Sequence, residues 1–118
     1  MIYLASPYTH EKAAVRYARF HMVCTIAGEL FLQGVNVYSP IAHCHPQQER
    51  VPEIENSWER FAAHDLEMLD FCQEIWVVKL PGWEESKGVA AEIAHAEENG
   101  YPVRYLRVDE RAVILEDR

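Results

Sequence analysis

Between Ile2 and Val108 the chain switches repeatedly between short, unbroken apolar runs and longer stretches in which apolar residues return every three or four positions. The first pattern is that of a strand buried on both faces and the second that of a helix with one buried side, so their alternation predicts a βαβα order. Ile2 to Ala5, Val35 to Tyr38, Ile75 to Leu80 and Val103 to Val108 are the expected strands. A first helix is expected from about Glu11 to Gln33, its stripe made by Ala14, Ala18, Met22, Ile26 and Phe31 with Val15, Val23, Ala27 and Leu30 beside it, and Gly34 ends it. Ser57 offers an N-cap for a helix from Trp58 to about Phe71, with Arg60 where a capping box would carry Glu or Gln. A third helix runs from Ser86 to about Asn99 and is closed by Gly100.

Such alternation with short connections predicts an α/β fold: a three-layer, doubly wound, four- to five-stranded, mostly parallel sheet of the flavodoxin or Rossmann kind. The 118 residues form one expected domain, 1–118, and their 49% hydrophobic content supplies its core. Ser39 to about Asn56, with Pro40, Pro46 and Pro52, reads as a loop too long for a bare connector. The last ten residues add either a fifth strand through Ala112 to Leu115 or an arm. Ligands of doubly wound sheets sit beyond the carboxyl ends of the strands, which assigns residues 6–10, 39–56 and 80–87 to the site.

Charge and composition exclude several partners. Nineteen acidic against eleven basic residues give a formal charge of -8, which repels a nucleic-acid polymer. No apolar run approaches the roughly 20 residues needed to cross a bilayer, and MIYLASPYTH lacks the features of a signal peptide, so a cytoplasmic protein without a membrane partner is expected. Cys24, Cys44 and Cys72 are odd in number and widely spaced, as reduced thiols would be.

Two carboxylates stand out. Asp65 falls on the apolar stripe of Trp58, Phe61, Ala62, Leu69 and Cys72, so it faces the protein and needs a partner, a ligand or a proton, whereas His64 and Asp70 lie off the stripe and read as solvated. Glu92 lies at the edge of the stripe of Val89, Ile93 and Ala96, half buried, and leans over the turn that contains Gly88. Either room for a ligand or loose packing on the sheet would account for that glycine. Two carboxylates leaning from adjacent helices into one crevice are equipment for substitution at a sugar anomeric carbon. Ser6 and Ser86 precede helices whose free N–H groups attract anions, and Tyr8 and Trp83 are placed to stack on a base. His43 and His45 in an extended loop would present both imidazoles on one side, with His10 and His64 near. They either bond to backbone or substrate or, alternatively, hold a metal.

These segments resemble the nucleoside 2-deoxyribosyltransferase superfamily, which includes the 2′-deoxynucleoside 5′-monophosphate N-hydrolases. YLASPY resembles its first strand and ligand loop, HDLEMLDFC its Asp-bearing helix, and SKGVAAEIAHA the segment that carries its nucleophilic glutamate. SPIAHCHP and LPGWEESKG further resemble a short bacterial and phage branch. The resemblance implies Glu92 as nucleophile, Asp65 as the catalytic or sugar-binding Asp, Ser6 at the first ligand loop and Ser86 at a phosphate or hydroxyl contact. Pro7, Tyr8, Ser39, His43, His45, Trp83 and Gly88 are the further residues expected around the substrate, the loop of His43 and His45 being unlike that of the better-known enzymes. It implies hydrolysis or transfer at the N-glycosidic bond of a nucleoside or nucleotide, without cofactor or metal, by a homodimer or homotetramer. Tyr8 stands where the monophosphate hydrolases carry an arginine. A binding or signalling module that keeps the pocket without the reaction, and a metal-dependent hydrolase using the loop histidines, are the alternative readings.

Overall fold

The computed structural model describes residues 1–109 and 113–116. In chain order its elements are β1 (Ile2–Ala5), α1 (Ala13–Leu32), β2 (Val37–Tyr38), α2 (Pro40–Arg50), α3 (Trp58–Cys72), β3 (Ile75–Val78), α4 (Lys87–Glu98), β4 (Val103–Val108) and β5 (Val113–Glu116). The sheet order is β2-β1-β3-β4-β5, the doubly wound arrangement of flavodoxin-like folds. The first four strands are parallel and β5 pairs antiparallel with β4. The end of the chain therefore adds a strand, within residues 113–116; Ala112 lies outside the described residues.

Strand alternation sorts the core into two layers. Tyr3, Ala5, Ile75, Val77 and Tyr105 point to one face, where Leu69 of α3 and Val89 and Ala96 of α4 cover them. Leu4, Val78 and Leu106 point to the other, against Val23, Ile26 and Leu30 of α1 and Ile41 of α2. Among the described residues, no helix is long and apolar enough to cross a membrane.

Three expectations need correction. The segment after Ser39 is a helix, not an extended loop. Ser39 caps it by accepting a hydrogen bond from the Ala42 amide at 3.1 Å, and Pro40 occupies the first turn, where a missing N–H costs nothing. Pro46 lies inside this helix, and its buried side is only Pro40, Ile41 and His45, too few apolar positions to announce a period. Strand β2 is shorter than expected because the Val35 amide bonds back to Leu30 O at 2.9 Å. With Gly34 at φ +81° and its amide on Phe31 O, this is a Schellman closure that delays the strand. On α1, Ala14, Ala18, Met22 and Phe31 are exposed, and Val23, Ile26 and Leu30 are the residues buried. That helix is apolar on most sides, so its periodicity does not select a face.

Candidate functional site

The loops that leave β1 and β3 diverge at the carboxyl edge of the sheet, α1 and α2 passing to one face and α3 and α4 to the other. The crevice between them holds a cavity of about 300 Å3. Ser6 and Tyr8 line it from the first loop, Cys44 and His45 from α2, Trp58, Phe61 and Asp65 from α3, and Ser86, Gly88 and Glu92 from the start of α4.

Glu92 is 4% exposed, more deeply buried than its place at the edge of a stripe implies. The reason lies beneath it: Tyr3, fully buried on β1, donates its hydroxyl hydrogen bond to Glu92 Oε2. Burial raises the Glu92 carboxyl from its ordinary 4.5 to about 8; the Tyr3 bond opposes the rise and the nearby charge of Asp65 adds to it. Asp65 is 8% exposed and is also raised, first by burial, against the pull of a 2.9 Å contact from His64 Nδ1 to its Oδ1. The same burial and the Glu92 carboxylate push the Tyr3 phenol well up. With the Glu92 carboxyl raised to about 8, the pair does not sit as two fixed charges at neutral pH.

Ser6 is 7% exposed, and its hydroxyl has no hydrogen-bond partner among the described residues although it lines the cavity. Asn56 Oδ1, also at the cavity wall, is in the same condition. Buried polar atoms rarely stay unpaired, so both are positions where a polar ligand or water gains a bond. Ser86 caps α4 by accepting from the Val89 amide at 3.2 Å.

Several expected site residues are placed elsewhere. Trp83 packs in the core beside Tyr105, ring centroids 5.8 Å apart, and does not line the cavity. Pro7 is buried outside the cavity lining, and Ser39 is occupied as the α2 cap. A Cβ added at Gly88 would lie 3.1 Å from Trp58 Cε3. Gly88 thus lets the indole of α3 lie against α4, while it also lines the cavity.

The histidines also separate. Two positions apart on a helix, His43 and His45 point to different sides instead of sharing one. His45 is buried, stacked on Phe20 at 4.1 Å, with Nδ1 2.6 Å from the Tyr8 hydroxyl and Nε2 3.3 Å from Glu49 Oε1. Burial lowers its pKa, so the ring is neutral and structural at neutral pH. His10 Nδ1 instead accepts the Lys12 amide. His43 stacks on His64 outside the cavity lining, and His64 is held by Asp65, not merely solvated. Exposed Asp70 pairs with His95 and Tyr101. The metal-capable group among the described residues is Cys44, His64 and Asp65, not His43 with His45.

Sequence reading misses Tyr3 and Trp58. A tyrosine in a strand buried on both faces needs a partner for its hydroxyl, a signal that marks Tyr3 without naming Glu92. Trp58 is indistinguishable by pattern from a core residue at a helix start. No curated protein matches the chain. Residues 1–107 match the family described as Domain of unknown function (DUF1937), and the chain belongs to that family.

Proposed function

We propose that the protein cleaves the N-glycosidic bond of a nucleoside or nucleotide, as a hydrolase or a transferase, through a glycosyl-enzyme ester on Glu92. The observation that carries this reading is the Glu92 carboxyl, buried at the cavity wall, oriented by the Tyr3 hydroxyl and close enough to Asp65 to feel its charge. In the reaction the ionised Glu92 attacks C1′ as the bond from C1′ to the base nitrogen breaks, the departing base takes its proton from water, and Asp65 assists that departure by holding a sugar hydroxyl. Water or a second base then opens the ester. Trp58 and Phe61 provide apolar walls suited to a flat base, the role the sequence assigns to Tyr8 and Trp83. Lys87 at the cavity mouth is paired with Glu59, and Tyr8 is spent on His45 and Gln48. That arrangement favours a nucleoside over a substrate selected by its 5′-phosphate. The motifs shared with the deoxyribosyltransferases support the same reading and extend it to a cytoplasmic homodimer or homotetramer.

The test is release of free base from a panel of nucleosides and nucleotides, followed chromatographically for wild type and Glu92→Gln. Loss of release in the variant is expected, and equal release by both proteins overturns the assignment. Glu92 must shed its proton before attack, so kcat/KM is expected to rise with pH through an inflection near 8. A profile that falls over this range makes Glu92 the acid and Asp65 the attacking or water-activating group. Stabilisation by a nucleoside without release of base identifies a binding module instead.

A further inference from the structure

Beside the Glu92 pocket, α2 and α3 bring together a second group of reactive side chains that the proposed reaction uses only in part. Cys44 Sγ, His64 Nδ1 and Asp65 Oδ1 all lie within 4.8 Å of one another. The sulfur is 4.0 Å from the imidazole nitrogen, which is 2.9 Å from the carboxylate oxygen. We propose that Cys44, His64 and Asp65 form a three-ligand site for one divalent transition metal of the zinc class, with its open position toward the pocket.

The donor set is right for such an ion: one thiolate, one imidazole and one carboxylate suit a borderline-soft metal and are poor ligands for calcium or magnesium. The geometry is near. With bonds of about 2.3 Å to sulfur and about 2.1 Å to nitrogen and oxygen, tetrahedral ligands stand about 3.4 to 3.6 Å apart. The gap from Cys44 to His64 must therefore close, and that from His64 to Asp65 open, by about 0.5 Å each. His64 can make both adjustments, since its side chain is 42% exposed and its ring neighbours are the parallel ring of His43, 5.5 Å away, and the tilted ring of Tyr38, 6.4 Å away. The Cys44 sulfur must in addition approach Asp65 from a separation of no more than 4.8 Å. Three protein ligands with a vacant fourth position are the pattern of sites that bind water or substrate on the metal. Here Cys44 and Asp65 line the cavity, which gives that position its direction.

One further observation supports the site. The Tyr38 hydroxyl is buried with no hydrogen-bond partner among the described residues, although it lies within electrostatic reach of both Cys44 and Asp65. A metal-bound water would give it one. Binding releases the Cys44 proton to solvent as the sulfur-metal bond forms. The other two thiols lack this company: neither Cys24 nor Cys72 belongs to a metal-capable group among the described residues.

The site shares Asp65 with the proposed reaction but does not rest on it, and the experiment needs no turnover. Titrate the reduced, metal-stripped protein with Co2+ and follow the thiolate-to-cobalt charge-transfer band in the near ultraviolet together with the visible ligand-field bands. One equivalent is expected, with bands intense enough for four-coordinate cobalt. They should vanish in Cys44→Ser, fall at least tenfold in affinity in His64→Ala, and persist in Cys72→Ser and Cys24→Ser. No charge-transfer band in the wild type, or a band that survives Cys44→Ser, overturns the proposal. As a readout on the unaltered protein, Zn2+ should slow alkylation of Cys44 at least tenfold, located by mass spectrometry, and leave Cys72 unchanged. Equal rates at Cys44 with and without Zn2+ overturn it equally. Release of base without metal binding refutes the site and leaves Glu92 in place; metal binding without release of base does the reverse.

Discussion

Replacing Glu92 by glutamine should make the protein more stable while abolishing the activity proposed for it, and the gain should depend on pH in a defined way. In the folded state the carboxyl keeps its proton to about pH 8, whereas in the unfolded chain it releases it near the ordinary 4.5. Between those values the unfolded state binds fewer protons than the folded one, so wild-type stability falls as pH rises. The fall is about 1.4 kcal/mol per pH unit, which amounts to about 3 kcal/mol at neutral pH relative to a residue that never ionises. Glutamine is that residue. Its carbonyl accepts the Tyr3 hydrogen bond and its NH2 group stands where the protonated carboxyl holds its O–H, so the two side chains differ little at low pH. Guanidinium unfolding of both proteins at about pH 5, 6, 7 and 8 measures the difference, and every other titrating group is common to the two. Expected is a variant about 1 kcal/mol more stable than wild type at about pH 5 and about 3 kcal/mol more stable at about pH 7. A difference that stays flat across this range, or that shrinks as pH rises, refutes the reasoning.

Two further substitutions separate ligand binding from folding. Ser6→Ala removes a buried hydroxyl that has no partner among the described residues, so stability should be unchanged or higher, while nucleoside affinity falls about fivefold to tenfold, the value of roughly one hydrogen bond. A loss of more than about 1 kcal/mol in the unliganded protein would show that the hydroxyl has a structural bond after all. Gly34→Ala places a side chain on a residue at φ +81° with nothing within 4 Å of the new Cβ, so backbone strain alone should cost about 1 to 2 kcal/mol. Its denaturation midpoint should drop without a change in slope, and an unaltered midpoint would contradict the left-handed closure of α1.

The strands were legible because each is a run of apolar residues bounded by a turn, and with the helices between them the parallel order follows almost without choice. Helix α2 was not legible. Its buried side is three residues, one of them a histidine, and Pro46 argues locally against the helix that tertiary packing stabilises. Asp65 and Glu92 could be found from sequence because a carboxylate on an apolar stripe is a contradiction that the pattern itself exposes. Tyr3 could be named a core residue but not a partner of Glu92, since a hydrogen bond between residues 89 apart in the chain appears only once the layers are assembled. The pairing of Cys44 with His64 was out of reach for the same reason. It depends on which side of α2 faces α3, and a segment read as a loop has no sides.

The contact between Trp58 and Gly88 also constrains how sequences of this kind can vary. With 3.1 Å between the indole and the place of a Cβ, any larger residue at 88 displaces the ring that lines the pocket. Positions 58 and 88 are therefore coupled: a side chain gained at the second shifts the first or requires a smaller one, and with it the flat wall offered to a ligand. The pair should tend to change together, so a natural sequence in which it has changed would identify a pocket reshaped for a different occupant.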